Sequence, residues 1–215
     1  MASTVADRCG ACLLSRRGLL QWAGVLVVGG LSSPDAFGSD NGVKNLLDQM
    51  AHDARNYYVP EGLPGRPALL DSLAREPDPP WTELSPLQGF FLFETAPTLL
   101  KRAPPEFAQA AYVAAMKALT GDWWGPYGRP DSDSSRRLLQ IDGIDACLLG
   151  LLDNDQRLAM GDSEPATLAK LETFQVGDLA ALLLAAEHQL EYPMHAPLPQ
   201  RQARRAAIRA RLAAH

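Results

Sequence analysis

Apolar side chains recur every three or four residues along much of this chain, which is the spacing of a helix with one buried face. The clearest example is the stretch 176–190. Its apolar positions are Val176, Leu179, Leu183, Ala186 and Leu190. No stretch keeps the alternation of apolar and polar residues that a strand requires. The pattern therefore predicts an all-α protein.

Capping and turn residues divide this pattern into separate helices. Ser85 before Pro86 predicts a helix start, because serine caps a helix and proline suits its first turn. Pro97 is expected to kink or restart the helix that follows, and Asp142-Gly143 predicts a tight turn. The predicted helices cover 43–54, 68–75, 87–96, 107–119, 134–141, 144–152, 176–190 and 201–213.

One segment has the form of a helix pair. Residues 134–155, SSRRLLQIDGIDACLLGLLDND, combine a short helix, an Asp-Gly turn, a second apolar helix and an Asp/Asn stop. This is the form of a HEAT-type repeat, although the period does not recur cleanly elsewhere. We therefore expect a single domain over 39–215, built of antiparallel helix hairpins in a HEAT-like arrangement.

The first 38 residues have the organisation of an export signal. The segment 15–20, SRRGLL, matches the twin-arginine pattern through Arg16 and Arg17. The apolar run 19–31 that follows has 13 residues, whereas a membrane-spanning helix needs roughly 20. Small residues at 36 and 38 precede the expected cleavage site between Gly38 and Ser39.

This signal predicts the location of the protein and its partners during export. The twin-arginine translocase and a signal peptidase would process the precursor, and the product would be periplasmic or extracellular, with no stable membrane span after cleavage. It would stay tethered to the membrane only if the signal were uncleaved. The alternative is a chance Arg-Arg pair in a soluble helix, since the internal segment 135–139, SRRLL, has nearly the same letters without an apolar run or a cleavage site.

The cysteines are expected to have no catalytic role. Cys9 and Cys12 form a CxxC motif, but no strand precedes it and no second CxxC follows it, as a redox or zinc site would require. Cleavage would remove both and leave Cys147, which forms no intramolecular disulfide alone, so the packed core must stabilise the domain. We expect Cys147 to be buried on the apolar face of the predicted helix 144–152.

Composition and charge narrow the function classes. The chain has 215 residues, of which 47% are hydrophobic and 21% are charged, as in a single globular domain. The formal net charge of −5 gives no general reason to bind nucleic acid. No GxSxG, Walker or Rossmann glycine motif occurs. We therefore predict no catalytic residue and no cofactor.

Three aromatic residues lie in the Gly/Pro-rich segment 121–133, which is predicted to be a loop. Trp123, Trp124 and Tyr127 would suit stacking on a sugar or another flat ligand if their rings were exposed. The alternative is that the tryptophan pair fills the space between neighbouring helix ends. The sequence favours this packing role.

A spaced set of polar residues lies at the end of the predicted helix 176–190. His188, Glu191 and His195 have the spacing H-x2-E-x3-H, in which metal ligands can be arranged on a helix and its exit loop. Pro193 interrupts the helix between them, and no HExxH motif is present. Surface polar residues are therefore the favoured interpretation.

Charge is distributed unevenly towards the C-terminus. The segment 131–134, DSDS, has the first letters of a calcium loop but lacks its later Gly and Glu, so a helix N-cap is the favoured interpretation. The last predicted helix is basic, which suits an anionic lipid or an acidic partner, but a solvated face is the favoured interpretation. Internal pairing with the acidic stretch 131–164 is a further alternative. The arginines of this helix are Arg201, Arg204, Arg205, Arg209 and Arg211.

Several short motifs lie from residue 121 onward. They are DWWG at 122–125, RLL at 137–139, the segment 149–153, GDSEPAT at 161–167, VGDLAA at 176–181 and YPMH at 192–195. Through these motifs the chain resembles a group of uncharacterised bacterial α-helical proteins of HEAT-like character. The resemblance implies a helical fold and supplies no activity. Gly177 stands where a basic residue would be commoner in that group.

Together these features predict an exported helical protein that acts as a protein-interaction or scaffold module for an unidentified protein partner. One alternative is a metal- or cofactor-dependent enzyme, or an accessory subunit of an exported enzyme, because the twin-arginine route often carries cofactor-loaded proteins. A second alternative is a carbohydrate-binding module that uses Trp123 and Trp124.

Overall fold

The computed structural model describes residues 41–53, 65–75, 79, 81–125, 129–159 and 173–214. Eight α-helices lie within these residues. They are α1 Asn41–Asp53, α2 Arg66–Arg75, α3 Pro86–Thr95, α4 Pro105–Ala118, α5 Asp133–Leu139, α6 Ile144–Leu151, α7 Val176–Glu187 and α8 Leu198–Leu212. Short 3-10 helices cover Pro97–Lys101 and Gly121–Trp124.

The all-α prediction is confirmed. Within the described ranges the backbone forms no strand, and the only β-type pairings are the isolated bridges Thr120 with Ala159 and Arg157 with Gln175. These bridges hold the irregular segment after α6 against the end of α4 and the start of α7.

Helix α3 begins where the sequence predicts. The backbone N–H of Gln88 donates to Ser85 Oγ at 3.4 Å, and the N–H of Ser85 donates to Gln88 Oε1 at 2.7 Å. This capping box satisfies two N–H groups that the first turn leaves unpaired. Residues 88–95 are all buried, so α3 is enclosed by its neighbours.

Helix α7 is the second central helix. Its residues 176–185 are buried without interruption, and the sequence VGDLAALLLA is apolar on nearly every side, as expected of an enclosed helix. α3 packs against α1, α2 and α4, while α7 packs against α4, α5, α6 and α8. Because α4 contacts both central helices, it joins the two sides of a continuous core.

Several local features differ from the predicted ones. The segment 121–124 forms a 3-10 helix, so the prediction of a loop there is wrong. α5 begins at Asp133, earlier than predicted, because the side chain of Ser132 caps it. Two other local predictions are confirmed. The chain restarts at Pro97 as a 3-10 helix. The Asp-Gly turn also forms, and Gly143, with a left-handed φ of 72°, occupies the N-cap position of α6.

The predicted export signal lies outside the described residues. Arg16, Arg17 and the cleavage site after Gly38 fall there, as do Cys9 and Cys12, so these features stay predictions. Of the helices that the structure does describe, none has the length and apolar character needed to cross a bilayer.

Candidate functional site

A carboxylate lies inside the core on α3. The side chain of Glu94 has no exposed surface. Arg137 of α5 donates to it from Nε at 3.1 Å and from Nη2 at 2.5 Å. The hydroxyls of Tyr112 and Ser134 donate at 2.8 Å and 2.7 Å. Four hydrogen bonds thus satisfy one buried carboxylate and join α3 to α4 and α5.

Two members of this network, Tyr112 and Arg137, have a raised pKa. Burial, followed by the charge of Glu94, raises the pKa of Tyr112 well above its ordinary value. Partial burial acts to lower the pKa of Arg137, but the hydrogen bonds and charge of Glu94 outweigh it and raise that pKa. Tyr112 is therefore a neutral donor and Arg137 a cation at neutral pH. In these states both groups act as hydrogen-bond donors to Glu94.

A second buried carboxylate lies in the first turn of α7. Asp178 has no exposed side-chain surface and pairs through Oδ2 with Arg201 of α8, while Arg205 Nε lies 3.8 Å from its Oδ1. The hydroxyl of Tyr192 donates to Oδ1 at 2.6 Å, and the N–H of Gln175 donates to Oδ2 at 3.1 Å. Burial, followed by the hydrogen bond to Asp178, raises the pKa of Tyr192, so its phenol keeps the proton at neutral pH.

Helix α8 docks through one basic face. We call the arginine face the side of α8 formed by Arg201, Arg205 and Arg209, which lie at four-residue intervals. Arg205 Nη2 lies 3.6 Å from Asp155 Oδ1, and Arg209 Nη1 lies 2.5 Å from Asp153 Oδ2. The solvated face that the sequence favours is wrong for Arg201 and Arg205, which are buried. The alternative of internal pairing with the stretch 131–164 is observed at two carboxylates.

The residue before Asp178 has to be small. A Cβ on Gly177 would lie 2.1 Å from Nη1 of Arg205 and 2.7 Å from the carbonyl oxygen of Leu152. The N–H of Gly177 donates to the carbonyl oxygen of Asn154 at 3.0 Å. The guanidinium of Arg205 fills the space that a side chain would need, which gives a physical reason for glycine at this position.

The tryptophan pair lies in the core. Trp123 and Trp124 are 2% and 1% exposed. The ring of Trp123 makes an edge contact with Phe90, and that of Trp124 tilts against Tyr112. Buried rings present no face to a sugar, so this placement favours the packing interpretation. Tyr127 lies outside the described residues.

The predicted metal ligands have separate contacts. His188 Nε2 lies 2.8 Å from Asp145 Oδ2, and the backbone oxygen of Glu191 accepts a hydrogen bond from Arg204 Nε at 2.7 Å. His195 is exposed in the turn that follows. Within the described part of the chain, no three His, Cys, Asp or Glu side chains form a group that could hold a metal ion, so the spacing alone does not assemble one.

Gln109 links α4 to the turn before α6. Its Nε2 donates to the backbone oxygen of Asp142 at 2.6 Å, and the thiol of Cys147 lies 3.6 Å from its Oε1. Cys147 is 3% exposed, so its predicted burial on the apolar face of α6 is confirmed. The amide of Gln109 holds the α5–α6 turn in a fixed position against α4.

That turn forms one wall of a cleft. The other walls are the 3-10 helix Pro97–Lys101 and the first turns of α4, and the volume of this open cleft is about 300 Å³. We call it the α4 cleft. Its apolar floor consists of Leu100, Ala103, Ala108 and Ile141. Lys101 and Asp142 are exposed at its rim, and among the described residues neither has an ion-pair partner.

The sequence did not reveal the α4 cleft or the two buried carboxylates. A signal existed for the carboxylates, because Glu94 and Asp178 each interrupt an apolar helical run, where an isolated charge needs a partner. The cleft has no comparable signal. Its walls come from the separate segments 100–108 and 140–142, and its shape arises only when they pack.

Comparison with known proteins adds no assignment. A scan against protein-family models and searches among curated proteins and solved structures found no match to this chain. The resemblance to bacterial HEAT-like proteins and the antiparallel HEAT-like arrangement stay predictions.

Proposed function

We propose that this chain is an exported α-helical protein that works by binding a protein partner, as an interaction or scaffold module. The observation that carries the proposal is the α4 cleft. It combines an apolar floor with two exposed charges of opposite sign, Lys101 and Asp142, that have no ion-pair partner within the described residues. Such a surface suits a partner segment that has both apolar and polar groups.

The buried ion pairs support a rigid binding surface. Arg137 of α5 and Tyr112 of α4 both donate to Glu94 of α3. α4 lines the cleft, and α5 leads into the turn 140–142 that forms one of its walls. Separating these groups would leave a charge uncompensated in the core, which is strongly unfavourable. A cleft with walls held in this way loses little conformational entropy when a ligand binds.

Partner capture with a filled cleft tests the proposal. Ala103→Phe places a ring in the α4 cleft, whereas Ala118→Phe adds the same ring at an exposed position of α4 that does not line it. The wild-type full chain and both variants are tagged, produced in an exporting bacterium and crosslinked, and the captured proteins are identified by mass spectrometry. Thermal unfolding shows that all three are folded.

We expect the wild type and Ala118→Phe to capture one stoichiometric partner that Ala103→Phe does not capture. The reason is that the added ring at position 103 occupies the apolar floor. Equal capture of the same partner by all three proteins would overturn the proposal, and so would the absence of any stoichiometric partner.

A further inference from the structure

The α4 cleft has the chemistry of a receptor for the end of a peptide chain. We propose that it binds the C-terminal residue of the partner, with the apolar side chain of that residue on the floor and its carboxylate paired with Lys101. This inference rests on the proposed function and specifies which part of the partner is recognised.

The size of the cleft suits a single residue. Its floor of Leu100, Ala103, Ala108 and Ile141 includes two alanines, whose short side chains leave room above the backbone. The volume of about 300 Å³ lies at the lower end of small-ligand sites, which span roughly 300–1,000 Å³. One apolar side chain with its terminal groups fits such a space, whereas the face of a helix does not.

The two rim charges set the direction of the bound chain. Lys101 attracts a carboxylate and Asp142 repels it. The carboxylate of Asp142 accepts hydrogen bonds from peptide N–H groups, so the preceding residues leave the cleft on that side. Gln109 holds the backbone oxygen of Asp142 at 2.6 Å, which fixes the turn that carries this carboxylate.

A C-terminal residue can occupy the apolar floor and pair with Lys101 at the same time. It carries an apolar side chain and a carboxylate on one Cα, so a single residue reaches the floor and Lys101 together. An internal acidic residue has its carboxylate on the side chain and leaves the floor to a different residue. A free apolar amino acid would bring an ammonium group to Asp142, and the experiment includes it as a competitor.

Peptide titration tests the inference. Fluorescence anisotropy follows a fluorescein-labelled Gly-Ser-Gly-Ser-Leu peptide, with a free carboxylate or a C-terminal amide, as the full chain is added. We expect the carboxylate form to bind about three- to five-fold more tightly, as for one exposed ion pair. Lys101→Ala should abolish this preference. Lys44→Ala removes an exposed lysine on α1 and should leave the preference unchanged.

Four results would overturn the inference. They are no binding of either peptide, equal binding of carboxylate and amide, a preference that survives Lys101→Ala, and free leucine that competes as effectively as the carboxylate peptide. None of them contradicts the proposed function, which fails instead if Ala103→Phe still captures the partner. Raising the salt to about 0.5 M should shrink the carboxylate preference, because the Lys101 charge is exposed.

Discussion

Glu94 and Asp178 are stabilised by the same kinds of group. Each carboxylate has no exposed side-chain surface, pairs with an arginine and accepts a hydrogen bond from a tyrosine hydroxyl. Taking a carboxylate out of water is costly, and the cost is offset only when its lone pairs are used. Tyrosine supplies a donor of this kind without adding a positive charge of its own.

Breaking the Glu94 network should destabilise the fold strongly. Glu94→Gln leaves the charge of Arg137 without its partner and should lower the free energy of unfolding by about 3 kcal/mol. Combining Glu94→Leu with Arg137→Met removes both charges and should recover about half of that loss. Urea unfolding measures each variant.

The control for this prediction is a neighbouring exposed pair. Arg136 and Asp133 have side chains that are 61% and 64% exposed, so Arg136→Ala should cost less than about 1 kcal/mol. If Glu94→Gln cost no more than Arg136→Ala, the buried network would contribute no more to stability than a surface contact does.

Replacing either of two helical glycines with alanine should change the free energy of unfolding in opposite directions. At Gly177 the added Cβ would meet Arg205 and the carbonyl of Leu152, so Gly177→Ala should lower the free energy of unfolding by about 1–3 kcal/mol. At Gly150 in α6 the added Cβ meets nothing within 4 Å, so Gly150→Ala should raise it by about 0.5–1 kcal/mol. Thermal unfolding compares them, and a stabilising Gly177→Ala would contradict the close approach of Arg205.

Tyr112, which is buried, and Tyr192, which is half-buried, predict a loss of stability at high pH. In the unfolded chain each phenol ionises near pH 10, whereas in the folded chain burial raises the pKa of both Tyr112 and Tyr192. Above about pH 10 the unfolded chain holds fewer protons than the folded chain, so the free energy of unfolding falls as the pH rises. Below that pH the contribution of the tyrosines is fully present.

Replacing both tyrosines with phenylalanine should flatten this decline. Urea unfolding of the Tyr112→Phe, Tyr192→Phe variant between about pH 9 and pH 11 measures the slope. The variant starts from a lower stability, because each replacement removes a hydrogen bond to a carboxylate. A slope equal to that of the wild type would show that other groups dominate the pH dependence.

At the scale of elements, α8 is a polar helix that docks largely through charge. Its buried residues are Arg201, Arg205 and Ile208, whereas a surface helix ordinarily buries an apolar stripe. The guanidinium of Arg201 also lies over the ring of Phe174, with Cζ 4.6 Å from the ring centroid. A planar cation stacked in this way supplies packing as well as charge.

The cost of losing each residue of the arginine face should follow its burial. Arg201, whose side chain is 1% exposed, pairs with the fully buried Asp178, so Arg201→Met should cost about 3–5 kcal/mol. Arg209 is 39% exposed beside an exposed Asp153, so Arg209→Met should cost less than about 1 kcal/mol. Urea unfolding of both variants measures the loss in the free energy of unfolding. Equal losses would show that α8 docks mainly through its aliphatic side-chain stems.

The helices were predictable because their signals are local. The periodicity of α7, the serine and proline that begin α3 and the glycine at 143 act within a few residues. The pairing of α8 with the acidic stretch was available as an alternative because both charge runs are visible in the sequence, but the sequence favoured a solvated face. The pairing of Glu94 with Arg137 joins residues that no local pattern relates, and the α4 cleft is a space left between three packed segments, so neither was predictable.

At the scale of the whole molecule, packing and buried charge hold the described helices together, and no disulfide joins them. The described residues share one core that α4 joins across both central helices, and Cys147, the only cysteine in 39–215, is buried within it. Such a domain has no need of an oxidising compartment in order to fold. This property suits the twin-arginine pathway, which transports proteins after they have folded.

Export should therefore depend on both the predicted signal and the fold. Replacing Arg16 and Arg17 with lysine should leave the precursor in the cytoplasm, because the pathway recognises the arginine pair. Glu94→Gln should also reduce export, because a destabilised domain is partly unfolded before transport, while Arg136→Ala should be exported like the wild type. Cell fractionation with immunoblotting measures the exported fraction of all three variants. The mass of the exported product tests cleavage after Gly38. Continued processing of the double lysine variant would exclude the twin-arginine route, whereas full export of Glu94→Gln would show that the pathway tolerates the loss of this ion pair.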